Sequence, residues 1–119
     1  MFMNITKFTQ KSIEIMNNLE KTAYDFGNQE IVQEHLLYSM LTIEDSLLAK
    51  LLQKMEIDPA VFQAQVEGLI NRRPKVEGGQ VYIGNDLNKV LVYAENEAKA
   101  MGDEYVSVEH LFLSLLRKP

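Results

Sequence analysis

The stretch Phe26-Gly27-Asn28-Gln29-Glu30-Ile31-Val32-Gln33-Glu34-His35-Leu36-Leu37 returns 75 positions later as Met101-Gly102-Asp103-Glu104-Tyr105-Val106-Ser107-Val108-Glu109-His110-Leu111-Phe112. At the same offset Glu20, Ala23, Gly27, Glu34, His35, Leu36, Ser39 and Leu41 fall on identical residues, Glu95, Ala98, Gly102, Glu109, His110, Leu111, Ser114 and Leu116. An internal repeat of this kind is one supersecondary unit used twice, each copy burying an apolar face that it could not bury alone. Upstream of Gly102, the residues Leu87, Val90, Leu91, Ala94, Ala98 and Met101 recur at three- and four-residue steps. That is the rhythm of an α-helix, and the glycine after it is a C-cap able to adopt positive φ. The first copy does the same with Ile15, Met16, Leu19, Ala23 and Phe26 before Gly27, and Thr9 stands where an N-cap is expected. After each glycine a short extended link leads to a second helix. Its apolar face is Leu36, Leu37, Met40 and Leu41 in one copy and Leu111, Phe112, Leu115 and Leu116 in the other, where Ser107 can serve as cap.

Two more helices follow in the first copy. Leu47, Leu48, Leu51, Leu52 and Met55 mark one, and Phe62, Val66, Leu69 and Ile70 mark the next. Asp58-Pro59 announces the start of the latter, an aspartate cap followed by a residue with no backbone donor to waste. Arg73-Pro74 ends it, and the segment from Pro74 to Tyr82, with Gly78-Gly79, links the copies. The expected architecture is one all-α domain over residues 1–119. Its first repeat has four helices (6–74), a connector covers 75–82, and a truncated second repeat has two helices (83–119). With no second-copy counterpart of Thr42 to Arg73, the side chains of Leu111, Phe112, Leu115 and Leu116 lack partners. Apolar surface is then expected to be left over, to be covered by self-association or by rearrangement of the last helix. Either the chain stops at Pro119 or it continues in a longer parent.

Composition narrows the function. The chain is 46% hydrophobic and 24% charged, the balance of one globular domain. Its apolar runs are far shorter than the roughly 20 residues of a membrane span, and Met1 to Thr9 has no secretory h-region, so the expected location is the cytoplasm. Without cysteine there is no disulfide, thiolate zinc site or cysteine nucleophile. A net charge of −5 with 12 Lys and Arg argues against nucleic acid, whose binding is driven by clustered cations, and for protein partners. No G-x-x-x-x-G-K-[ST] loop is present to hold nucleotide phosphates.

The doubled motif, with G-D-E-Y-V-S-V-E-H-L-F-L-S-L-L in its second copy, resembles the Clp N-terminal repeat domain. The opening Asn4-Ile5-Thr6-Lys7-Phe8-Thr9 and the run from Arg73 to Tyr82 resemble the ClpB-type disaggregases in particular. The resemblance implies a non-catalytic, substrate-recruiting appendage of a hexameric AAA+ parent active in the stress response. It would engage unfolded or aggregated protein, and adaptor proteins, with ATP and magnesium confined to the parent's motor domains. It also implies that the polar cluster important in relatives falls on Thr9, Asp103 and Glu109, and that a neighbouring groove, apolar in the family, falls on Tyr93, Glu97 and His110. Glu34 and Glu109, each ahead of a histidine, resemble the phosphoarginine-binding glutamates of ClpC relatives, although Gln33 and Val108 depart from that motif. Two alternatives follow: a ClpC-like adaptor or phosphoarginine receptor of a protease-linked unfoldase, and a free-standing helical regulatory protein.

Each of these residues also has a structural reading. Thr9 can simply cap, Asp103 can polarise a turn, and a glutamate in a first helical turn favours the helix dipole. His35 and His110 lack metal-ligand spacing, and each is expected to pack at its helix start with one ring nitrogen hydrogen-bonded locally. Ser107, His110 and Asp103 or Glu109 could form a hydrolytic set only if something aligned them, and no nucleophile-elbow motif does so. Met16, Met40, Met55 and Met101 read as core filler, and Asn71-Arg72-Arg73-Pro74-Lys75 as a solvated helix end.

Overall fold

The structure, a computed structural model, describes residues 7–117. The Asn4-Ile5-Thr6 part of the opening motif, Lys118-Pro119, and the outer ends assigned to the two repeats lie outside the described residues. The first copy holds α1 (Gln10–Asp25), β1 (Glu30–Ile31), α2 (Gln33–Thr42), α3 (Leu47–Lys54) and α4 (Pro59–Asn71); the second holds β2 (Tyr82–Ile83), α5 (Asn85–Ala100) and α6 (Val108–Arg117). Among the described residues the fold is thus all-α, a tandem of four helices and two, with strand only where the copies meet. Among the described residues no helix is long and apolar enough to cross a membrane.

The caps lie where the side chains dictate. Thr9 Oγ1 accepts the Ser12 N–H at the start of α1, Ser46 accepts from Ala49 ahead of α3, and Asp58 accepts from Ala60 ahead of α4 with Pro59 in the first turn. Gly27 (φ 75°) and Gly102 (φ 74°) turn the chain out of α1 and α5 in the left-handed region, which side chains with a Cβ disfavour.

What holds the two copies together is an exchange of extended segments. β1 pairs in parallel with β2, Glu30 opposite Tyr82 and Ile31 opposite Ile83, while Phe8 bridges Val106, also in parallel. At the repeat offset these are the same pairing with the copies swapped. The Thr9 N–H donates to Val106 O at 3.0 Å, and its counterpart, the Gly84 N–H, donates to Ile31 O at 2.9 Å. The link of each copy therefore satisfies backbone groups ahead of the other copy's first helix, and neither copy closes its own core. Within each copy a serine at the repeat-equivalent position ties the helix pair: Ser39 Oγ donates to Ile15 O at 2.9 Å and Ser114 Oγ to Val90 O at 2.5 Å. A buried hydroxyl tolerates this place because its one donor is spent there.

The core runs through both copies, with Ile15, Leu19, Leu36, Leu87, Leu91 and Leu111 fully enclosed. Met16 and Met40 join it, but Met55 and Met101 do not; both are C-cap residues, and their side chains project past the last turn into solvent. Leu69 is exposed as well, since α4 buries only the narrow stripe of Val66 and Ile70 with Phe62 half-buried.

The expectation for the second-copy face also needs correction. Leu111 and Leu115 are buried and Phe112 is half-buried, because α6 packs on α5 and touches α1. Only Leu116 of the four is open, at 63% exposure against 7% for its first-copy equivalent Leu41, which lies where α3 and α4 pack on α2. The basic run lies largely in solvent, as expected, with only Arg73 half-buried, but its cations also make specific contacts. Arg73 lies 3.3 Å from Glu30, and the Lys75 ammonium donates to Phe26 O at 2.7 Å, at the C-terminus of α1, and to Asn71 Oδ1 at 3.3 Å, at the end of α4. With Asn28 Nδ2 donating to Pro74 O and the Val76 N–H to Gly27 O, the connector is stitched onto the first copy's turn.

Candidate functional site

Each histidine is the third residue of its helix, and each closes the same latch. His35 Nδ1 accepts the Val32 N–H at 2.9 Å, which fixes the proton on Nε2. That nitrogen donates to Asn28 Oδ1 at 3.0 Å, and the Asn28 amide is oriented by its own bond to Pro74 O. In the second copy His110 Nδ1 accepts the Ser107 N–H at 2.9 Å, and Nε2 faces Asp103 Oδ2 at 3.0 Å. The ring thus ties the start of the second helix to the turn after the glycine. His35 is completely enclosed, and burial, reinforced by the Arg73 charge, lowers its pKa from 6.5 to about 4.

The second latch also aligns a serine, which sequence spacing gave no reason to expect. Ser107 Oγ lies 2.9 Å from His110 Nδ1, so serine, imidazole and carboxylate stand in line. Two facts make this a helix cap. The Nδ1 lone pair is already taken by the Ser107 N–H, and Ser107 Oγ accepts the His110 N–H at 3.4 Å, as in a capping box. The first copy builds the same latch with Val32 and Asn28, neither able to act as nucleophile or as charged orienter.

The other candidate residues gather around the start of α6. Thr9 caps α1, donates to Ser12 Oγ at 2.9 Å, and is joined through its N–H to Val106, in the link between Asp103 and Ser107. Asp103 is half-exposed beside His110, and Glu109 is exposed in the first turn of α6. A cleft of about 320 Å³ opens here, lined by Lys7, Glu95, Ala98, Lys99, Asp103, Glu104 and Val106; it takes in Asp103 but neither Thr9 nor Glu109. Glu34 sits half-buried at the start of α2, on the other copy. Among the described residues no group of three or more histidines and carboxylates is placed to hold a metal ion.

Tyr93 and Glu97 do lie together, on one face of α5 a turn apart. Both hold Arg117 of α6: Nη1 donates to the Tyr93 hydroxyl at 3.2 Å and lies 3.4 Å from Glu97 Oε1. His110 is not part of that surface, being buried with both ring nitrogens engaged. The first-copy equivalents of Tyr93, Glu97, Leu113 and Arg117 are Asn18, Thr22, Tyr38 and Thr42, which together line a cleft of about 380 Å³ between α1 and α2. Arg117 was absent from the sequence-based site. The available signal was spacing: 24 residues separate Arg117 from Tyr93, as they separate Ser114 from Val90 and Ser39 from Ile15.

Comparison with known proteins places this geometry. The Clp repeat (R) N-terminal domain family matches residues 7–119. The chaperone protein ClpB of Nitratidesulfovibrio vulgaris is 39% identical over 122 residues, covering 98% of this chain and 14% of that protein; the ClpB of Bacillus cereus is 34% identical over 117 residues, covering 94% and 14%. The chain therefore spans about one seventh of the length of these relatives. Among solved structures, the Hsp104 N-terminal domain from Candida albicans superposes with a TM-score of 0.85 at 22% identity, over 94% of this chain and 75% of that one.

Proposed function

The chain belongs to the Clp repeat N-terminal domain family, and from that premise we propose that it recruits unfolded or aggregated protein to a ClpB-type ATP-dependent disaggregase. The observation that carries this reading is the 39% identity to a ClpB chaperone across 98% of the chain. The geometry supports it: the site is an open, mixed polar and apolar surface over α5 and α6, suited to weak and exchangeable contact. Such contact is what a tethered recruiter needs, since tight holding would oppose transfer, and several tethered copies raise local client concentration through avidity. On this reading the domain is non-catalytic and needs no cofactor, nucleotide and magnesium belonging to motor domains of a cytoplasmic, hexameric parent. Thr9, Asp103 and Glu109 form its polar rim and Tyr93 and Glu97 its groove, with adaptor proteins as further partners.

NMR titration with a reduced, permanently unfolded client and with the same protein folded tests the proposal. Micromolar or weaker binding is expected for the unfolded form alone, with shifts around α5, α6 and the Asp103 turn. Thr9→Ala, Asp103→Asn and Glu109→Ala should each weaken it while the chain stays folded. Equal response to folded and unfolded client defeats the recruitment reading; saturable heat with ATP and magnesium would show that the chain binds nucleotide itself.

A further inference from the structure

The two copies supply an internal comparison for the groove. At four equivalent positions the first copy carries Asn18, Thr22, Tyr38 and Thr42, all uncharged, where the second carries Tyr93, Glu97, Leu113 and Arg117. At these four positions only the second copy carries a carboxylate, while the first-copy cleft has Asp25 at its edge, paired with Lys21; Glu97 and the neighbouring phenol already hold a guanidinium, through contacts of 3.4 and 3.2 Å from the same Arg117 nitrogen. Glu97 is the more sheltered partner, its side chain 24% exposed against 62% for Arg117. Leu113, one helical turn before Arg117 on the same face of α6, adds an apolar edge at 42% exposure.

A surface ion pair of this exposure is only weakly favourable, so an incoming cation can exchange with the resident one at little cost. A guanidinium is also the group best matched to a carboxylate and a hydroxyl side by side, because its donors are coplanar and fixed in a fork. Resting on the client-recruitment reading, we infer that the α5–α6 groove selects client segments in which an arginine adjoins apolar residues, the arginine taking the place of Arg117 on Glu97 and Tyr93 and the apolar neighbours lying on Leu113. Arg117 is then a built-in competitor that keeps the groove occupied until a client arrives. The chain's net charge of −5 favours approach of such segments.

The test uses a fluorescent apolar peptide carrying one arginine and the same peptide with citrulline, which keeps the shape and loses the charge. Anisotropy titrations are run against the unaltered chain, Glu97→Gln and Arg117→Ala, with circular dichroism to check the fold. The arginine peptide should bind the unaltered chain about three- to fivefold more tightly, the scale of one exposed charged contact. Glu97→Gln should erase that preference, so that the two peptides bind alike, and Arg117→Ala should strengthen arginine-peptide binding by a similar factor. Equal binding of the two peptides, or a preference that survives Glu97→Gln, overturns the inference while the recruitment reading stands. Failure of both peptides and of an unfolded client to bind overturns both.

Discussion

Removing the titration of His35 should flatten the pH dependence of stability. The ring is neutral in the fold, its Nδ1 facing a backbone N–H at 2.9 Å, and its pKa is lowered to about 4 from 6.5. Between those values the unfolded chain binds a proton that the folded chain refuses. Stability is thus intact above the unfolded pKa, falls as the pH drops through it, and stops falling from this source near the folded value. The displacement corresponds to about 3 kcal/mol at full extent. Roughly 2 kcal/mol of this should be lost between about pH 7.5 and pH 5, before ordinary carboxylates protonate. Urea unfolding at several pH values in that range, on the unaltered chain and on His35→Gln, isolates the effect, because glutamine can accept the Val32 N–H without titrating. The variant is expected to be less stable at neutral pH but to lose about 2 kcal/mol less on acidification. NMR of the ring in the unaltered chain gives an independent reading: the Nε2–H tautomer should persist to about pH 5. Titration of His35 near its ordinary value, or parallel pH profiles for the two proteins, would refute the latch as described.

The repeat provides matched pairs for further tests. Leu41→Ala should cost about 2–4 kcal/mol, whereas Leu116→Ala, on the open face of α6, should stay within about 0.5 kcal/mol by chemical denaturation; similar losses would mean that Leu116 is covered in solution. Ser39→Ala and Ser114→Ala should each cost about 1–2 kcal/mol, since each strips a buried helix-to-helix hydrogen bond, and a neutral result at either serine would show the tie to be dispensable. Asp103→Asn should leave stability within about 1 kcal/mol, because it rebuilds the Asn28–His35 latch in the second copy, while Asp103→Ala should cost more; equal melting temperatures for the two would dissociate the latch from stability.

How much of this was legible in the sequence depended on the range of the interaction. Caps and turns were readable because their causes are local: Thr9, Ser107, Asp58-Pro59, Gly27 and Gly102 each act within about four residues. The offset of 75 then forced whatever was true of one copy onto the other, so the two histidines could be assigned a common local bond before their partners were known. The misreadings sit where periodicity loses its meaning. Met55 and Met101 continue the apolar rhythm by one step, but the helix has already ended beneath them, and a C-cap side chain no longer points along the buried stripe. Lys75 read as a cation for the end of α4 alone because sequence distance hid the Phe26 carbonyl that the returning connector also brings to it. The exchanged pairings, Phe8 with Val106 and Ile31 with Ile83, left no periodic trace, since two residues are too few to alternate and their partners are about 50 or more positions away. The groove was half legible for the same reason. Tyr93 and Glu97 share a face of one helix and could be paired on paper, but the residue that joins them comes from another helix. The repeat alone carried that information, because the serines one turn earlier make the same 24-residue step between helices. A substitution that breaks the step, moving Arg117 to the neighbouring position 116 in an Arg117→Leu, Leu116→Arg double variant, should therefore remove the Arg117 contact from Glu97 and Tyr93 while keeping composition constant. Binding of the arginine peptide should rise as it does for Arg117→Ala, and if it does not, the groove is not gated by that contact.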